Sequence, residues 1–330
     1  MLGVIVGDII GSTREGRKSL FDDKGLIYGT EKNATVTHLP SPEPILHERL
    51  SFTDDTVLML ATERALREVG DERANFAKHY VDFFDMHSEP NAFYKGKGIG
   101  YGSKFMEWAT ARLNGDNRPG YHSYGNGSAM RIAPVAYHFN SLLPMLNVAR
   151  ASAACTHNHL KGIEGAQVMA LAIFAARMGA SPSCIRTLVE DNSEYQLEFD
   201  EEKLVSLYYF QPTCEGSVPQ ALWAALEGPD FISVMRRCLR IGGDTDTIAA
   251  MAGSLAEVLY GIPEDIAEMA LQILKRDGPF LYNEYCLAIK SCNNYYDYPN
   301  VRELPANMTN EELPIESRSV FKSLLSLFRK

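Results

Sequence analysis

The stretch SFTDDTVLML (residues 51–60) sets Asp54 and Asp55 side by side and then runs straight into an apolar, helix-like pattern. Two carboxylates a few ångströms apart repel by roughly 1 kcal/mol at the dielectric of water and by several at that of a protein surface. A helix starting near Thr56 needs only one acid as a cap, worth about 1 kcal/mol. A second over-supplied helix start stands far along the chain in IGGDTDTIAAMAGSLAEVLYG (residues 241–261), with Asp244 and Asp246 beside Thr247. Behind it Ile248, Met251, Ala252, Leu255, Val258 and Leu259 repeat with the period of a helix that buries one face. Each acid pair alone reads as a cap. With the hydroxyls of Thr53 and Thr247 they offer four carboxylates and two hydroxyls, hard oxygen ligands that suit magnesium, manganese or calcium rather than zinc or copper. The sharper reading is a single site that both helix starts build and that holds two divalent cations.

Four further stretches carry residues able to do chemistry: GDIIGSTRE (7–15), GYGS (100–103), YGNGSAMRIAP (124–134) and THNHLKGIEGA (156–166). Tyr124, Gly125, Asn126, Gly127 and Ser128 precede a predicted helix, where glycines let backbone N–H groups approach an anion at the positive helix end. Glycine and asparagine also make ordinary turns. Glu15, on general grounds, is a solvated loop acid. His157 and His159 lie two apart and so would not share a helix face as metal ligands at i, i+4 do, which leaves a structural histidine as the default.

The whole chain narrows the field. Its 330 residues are enough for one large domain or two ordinary ones, and its composition is that of a globular protein. A formal charge of -10 argues against a generic nucleic-acid grip, although local basic patches leave that partner open. The opening MLGVIVGDIIGS has no basic leader and is interrupted by Asp8, so it reads as mature sequence. No uncharged apolar run reaches the roughly 18 residues that cross a bilayer. Six cysteines show neither a C-x-x-C pair nor zinc spacing, which predicts reduced, mostly buried thiols in a cytoplasmic protein with no membrane partner.

Helical periodicity dominates the elements that must position these residues. It predicts helices over 57–69, 76–84, 103–113, 129–139, 144–154, 161–178, 201–209, 217–226, 231–239, 248–259 and 264–274, an all-α, many-element bundle. Residues 16–50, without period and rich in charge, glycine and proline, read as a long loop or lid inserted into a domain spanning 1–290. Residues 291–330 read as an extension that ends in a short amphipathic helix, ESRSVFKSLLSLFRK.

Taken in order, the six motifs GDIIGSTRE, FTDDT, GYGS, YGNGSAMRIAP, THNHLKGIEGA and GGDTDT resemble the ADP-ribosylglycohydrolase family, which includes the dinitrogenase-reductase activating glycohydrolases. The likeness runs from about residue 3 to 261. It implies an orthogonal multi-helix bundle with a central two-metal cleft. Two Mg2+ (or Mn2+) ions would be held by Thr53, Asp54, Asp55, Asp244, Asp246 and Thr247. Glu15 would stand on a loop beside the scissile bond. Tyr124, Gly125, Asn126, Gly127 and Ser128 would cradle the diphosphate of ADP-ribose, with Gly100, Tyr101 and Gly102 lining the same cleft and His157 near the distal ribose or phosphates. The activity implied is hydrolysis of the glycosidic bond between ADP-ribose and an acceptor on a protein or small molecule, arginine favoured, releasing ADP-ribose. Asp54, Asp55 or Glu15 would serve as the base. Two alternatives stand beside this. A binuclear-metal phosphohydrolase is opposed by the absence of Lys or Arg beside either acid pair, and a non-catalytic, crystallin-like scaffold by the intact ligand set.

Overall fold

The computed structural model describes residues 1–12, 14–16, 19–21, 27–29, 44–71, 74–87 and 100–291. The chain opens with α1 (Leu2–Gly11), followed by the antiparallel pair β1 (Ser19–Phe21) and β2 (Ile27–Gly29) with Leu20 opposite Tyr28. Then come α2 (Asp54–Val69), α3 (Phe76–His87), α4 (Ser103–Leu113), α5 (Ala133–His138), α6 (Leu142–Ala154) and α7 (Leu160–Arg177). The chain continues through α8 (Pro182–Asn192), α9 (Glu201–Leu207), α10 (Cys214–Leu226), α11 (Phe231–Ile241), α12 (Thr245–Tyr260), α13 (Glu264–Asp277) and α14 (Pro279–Ser291). The fold is all-α, and the three-residue strands form a minor hairpin in the segment that follows Glu15.

The axis of the bundle is the antiparallel pair α1 and α12, which make the most extensive contact in the molecule. Its closeness is written in glycine. Gly3, Gly7 and Gly11 recur every fourth residue, and a Cβ on them would meet Gly253 O at 2.0 Å, Ala249 O at 2.0 Å and the Asp246 Cα at 2.4 Å. Small residues along one helix face let two backbones touch, and here they bring Asp8 of α1 against the N-terminal end of α12. Around this pair, α10 and α11 cover α12 while α2 leans on α1. The N-termini of α2 and α12, each carrying an acid pair, therefore open on the same space.

Three helices are absent from the periodicity reading, and each absence has a physical cause. In α1, residues 3 to 11 are all buried, so no polar face sets up a 3.6-residue stripe. Both α8 and α14 are announced by a proline at their first residue, Pro182 and Pro279, a start signal rather than a periodic one. Of the helix expected over 129–139 only the short α5 forms, with Pro134 in its first turn, and a 3-10 turn, Asn126–Ser128, precedes the expected range. Most of the 16–50 segment and the whole predicted tail helix lie outside the described residues. Among the described residues no helix is long and apolar enough to cross a membrane.

Candidate metal centre and substrate cleft

The first turn of α2 is capped from another helix. Thr53 stands at its N-cap in extended conformation, yet its side chain makes no cap bond within α2. Instead Asp8 accepts from the Thr53 amide (Oδ2, 2.9 Å), the Thr53 hydroxyl (Oδ1, 2.7 Å), the Thr56 amide (Oδ2, 3.0 Å) and the Thr56 hydroxyl (Oδ2, 2.5 Å). Burial raises the Asp8 pKa, and these four bonds oppose the rise. Because Asp8 satisfies the orphan donors of the helix start, Asp54 and Asp55 are released from capping.

The Asp55 carboxylate meets those of α12, whereas Asp54, expected as a metal ligand, belongs to neither of the acid trios formed there and lines the cleft beside Gly100. Thr247 Oγ1 donates to Asp55 Oδ2 at 3.2 Å, Thr53 Oγ1, whose hydrogen goes to the nearer Asp8, lies 3.3 Å from the same oxygen, and the Thr247 amide donates to Asp246 Oδ1 at 2.9 Å. Asp55 Oδ1 is buried and has no hydrogen-bond partner among the described residues. Two trios result, Asp8–Asp55–Asp246 and Glu15–Asp244–Asp246, in each of which one oxygen per residue lies within 4.8 Å of the others. Asp246 belongs to both.

Such crowding shows in the acidities. Burial first, then the charges of Asp8, Asp244 and Glu15, holds the Asp54 carboxyl well above its usual range. Burial and the charges of Asp8, Asp54 and Asp244 do the same to Asp55; burial and the charges of Asp244, Asp55, Glu15 and Asp8 do so to Asp246. Buried charges without compensation cost several kcal/mol each, so the cluster calls for positive charge. An oxygen-only donor set with one orphaned oxygen fits a divalent cation.

The two loops beside the cluster are tied together. Gly242 and Gly243, at φ 72° and 75°, turn the chain from α11 into α12, and a Cβ on Gly243 would strike the Tyr208 ring at 2.5 Å. The Gly16 amide donates to Gly243 O at 2.5 Å, and Thr245 Oγ1 to Arg14 O at 3.2 Å, so exposed Glu15 is held over Asp244. Asp244 is fixed from below: Asn126 Nδ2 donates to its Oδ2 at 2.6 Å and to Ser217 Oγ at 2.9 Å. Burial nevertheless pushes Asp244 up to about 6, aided by Glu15.

The acids form one end of a cleft of about 400 Å³, within the range of small-molecule sites. Glu15, Asp54, Asp244, Asp246 and Thr247 line it, and Gly100 stands opposite, at φ 102°, where a Cβ would reach 2.7 Å from Asp54 Oδ1. Further along come Gly102, Gly125, Asn126, Gly127 and His157. Three expected substrate contacts sit differently. The Tyr101 ring is buried against Phe84 and Phe105, so its neighbouring glycines face the cleft instead. Tyr124 is half exposed with its ring against His159, and buried Ser128 donates to Gly162 O at 2.7 Å. His159 caps α7 by accepting from the Lys161 amide. Among the residues outside the sequence expectation that enter the site are Asp8 and the cleft-lining Lys104, Tyr121 and Arg131. For Asp8 the signal was an acid in the middle of an otherwise apolar run.

Comparison with known proteins bears on the family and the fold. A family model described as ADP-ribosylglycohydrolase matches residues 1–285. The protein is similar to the ADP-ribosylhydrolase ARH3 of Bos taurus, 28% identical over 326 residues that cover 80% of this chain and 84% of the relative. The human ARH3 is 27% identical, covering 80% and 85%. The ADP-ribosylarginine hydrolase Tri1 of Pseudomonas putida (strain GB-1) is 24% identical, covering 82% and 73%. A solved structure described as an ADP-ribosylglycohydrolase-related protein complex shares the fold, with a TM-score of 0.59 at 23% identity over 88% of this chain and 95% of the other. An all-α bundle whose acid pairs and glycine-lined wall meet in one cleft is thus matched along nearly its whole described length, and the chain belongs to the ADP-ribosylglycohydrolase family, enzymes that hydrolyse linkages to ADP-ribose.

Proposed function

We propose that this chain hydrolyses the glycosidic bond between C1″ of ADP-ribose and an acceptor and releases free ADP-ribose. The observation that carries the reading is the place of Asp246, a member of both carboxylate trios, in the same cleft as Gly125, Asn126 and Gly127. A metal pair alone suits several hydrolases; a glycine-bare wall with a histidine beside it suits a sugar joined to a diphosphate. Thr53, Asp54, Asp55, Asp244, Asp246 and Thr247, with Asp8 and Glu15 beside them, would hold two Mg2+ or Mn2+ ions. When bound, these would supply orientation of the ribose hydroxyls and a more acidic water.

Cleavage builds positive charge at C1″, so carboxylates at the mouth of the cleft favour the transition state. Glu15 is assigned as proton acceptor. Of its trio it alone is exposed, so it can take a proton from the attacking water and pass it to solvent, whereas Asp244 and Asp246 are buried. Arginine is the favoured acceptor, because a cationic guanidinium group suits an acidic cleft mouth, and the name of the P. putida relative carries that acceptor. The helical unit bearing the site ends, in this reading, near residue 290, and 291–330 is an extension. Cys214 and Cys238, buried and pushed up to about 12 by that burial, are inert thiols of the kind a cytoplasmic protein keeps reduced.

Incubation with ADP-ribosylated arginine, serine and DNA in Mg2+, followed by chromatography of released ADP-ribose, tests the reading. Release is expected fastest from arginine. Release from serine alone would change the acceptor. Release from none, beside rapid phosphate release from phosphoesters, would overturn the reading in favour of a binuclear phosphohydrolase.

A further inference from the structure

His157 stands in the cleft wall with its Nε2 side toward the glycines: a Cβ on Gly127 would come within 3.1 Å of Nε2, and one on Gly125 within 3.4 Å. Its other nitrogen faces inward, with Nδ1 2.8 Å from Thr156 Oγ1. Thr156 Oγ1 in turn lies 2.6 Å from Arg131 Nη2. Arginine has hydrogens to give and no lone pair to receive with, so the Thr156 oxygen accepts from Arg131 and keeps one O–H to donate. His157 Nδ1 at 2.8 Å and Ala153 O at 3.5 Å compete for that hydrogen, with the Tyr121 hydroxyl and the Cys155 sulfur also beside Thr156. Bond strength falls steeply over that interval, and the nearer atom takes it.

The anchor of this chain is unusual in its setting. Arg131 is completely buried, stacked over the Tyr80 ring at 3.9 Å, and bonded through Nη2 to Ser152 O at 3.2 Å. Its Nε and Nη1 have no hydrogen-bond partner among the described residues. A buried cation is costly, and its position beside Thr156 gives it something to do. It also acts on the ring electrostatically: burial and then the Arg131 charge hold His157 well below the usual histidine range, so the imidazole is neutral.

We infer that Arg131 and Thr156 are positioning residues that lock neutral His157 in its Nε2–H tautomer, so that the cleft wall presents a hydrogen-bond donor to a ligand oxygen. A neutral ring in the other tautomer would aim a lone pair at that oxygen and repel it. The inference rests on the ADP-ribose reading only for the identity of the ligand, whose phosphate or ribose oxygens are acceptors of this kind.

Full-length protein labelled with 15N-histidine, observed by long-range 1H–15N correlation near neutral pH and assigned with His157→Asn, tests the relay directly. The expected spectrum has a bare Nδ1 and a protonated Nε2 in the wild type. Thr156→Val should release the ring into a mixture of tautomers and raise the ADP-ribose Kd, by calorimetry, about tenfold, the worth of one hydrogen bond. Thr156→Ser, which keeps the hydroxyl, should restore both. A wild-type ring protonated on Nδ1, or a Thr156→Val ring with unchanged tautomer, would overturn the inference, and the wild-type spectrum decides it even if a variant fails to fold. Absence of ADP-ribose binding by the wild type would instead overturn the ligand, and the spectrum would still decide the relay.

Discussion

Glu15 is the exposed member of a trio whose other two acids are buried, and its loop is pinned by the bond from Gly16 to Gly243 O. A group that only takes a proton in the transition state should matter little for binding. Glu15→Gln is therefore expected to lower kcat by about a hundredfold or more while leaving the ADP-ribose Kd nearly unchanged. Steady-state kinetics beside calorimetry checks this, and a large rise in Kd with kcat preserved would make Glu15 a binding residue. Asp54, Asp55, Asp244 and Asp246 were legible because two like charges in a row at a helix start exceed what a cap requires. Asp8 was not, because a single acid in an apolar run gives no spacing; its role appears only when Thr53 and Thr56 are seen to donate to it from a helix far along the chain. Asn126 was read as part of a ligand cradle; it lines the cleft, and its amide also grips Asp244, which no spacing announced.

At the scale of elements, the site depends on how closely α1 and α12 approach. Gly7→Ala tests that dependence with opposing effects of known size. Alanine favours a helix by about 1 kcal/mol over glycine, but its Cβ would lie 2.0 Å from Ala249 O, a backbone atom that cannot step aside. Overpacking of this kind costs about 1–3 kcal/mol and more when backbones must part. The variant should lose stability in urea. It should also bind Mn2+ more weakly, since Asp8 and Asp246 ride on the two helices being separated. A Gly7→Ala protein more stable than wild type would show that the glycine face is not what sets the spacing. The helices with one polar face were legible from periodicity, among them α3, α11 and α13. Helix α1 was not, since a helix buried on every side has no stripe, and the 3-10 turn at Asn126–Ser128 escaped because the apolar run after it reads equally well as one longer helix.

For the molecule as a whole, the buried acids couple metal, pH and stability. In the metal-free protein, burial raises Asp244 to about 6 against an ordinary value of 3.8, and burial likewise raises Asp54, Asp55 and Asp246. Between those values the folded state binds more protons than the unfolded chain, so stability falls as pH rises, by up to about 1.4 kcal/mol per pH unit for each group. The Tm of metal-free protein should thus decline from about pH 4 through pH 6 and beyond, and saturating Mg2+ should remove or reverse the decline because cations prefer the ionised cluster. A Tm that rises with pH in the presence of chelator would contradict carboxyl pKa values raised by burial. The family was legible in the order of six short motifs, whereas the acceptor was not, because in the proposed binding mode those motifs all face ADP-ribose. Crystals grown with Mn2+ and ADP-ribose, measured at the manganese absorption edge, test the central claim most directly. Two anomalous peaks flanking Asp246, with C1″ turned toward Glu15 and the diphosphate along Gly125 and Gly127, are the expected result. A single peak away from Asp246, or ADP-ribose bound outside the cleft, would contradict it.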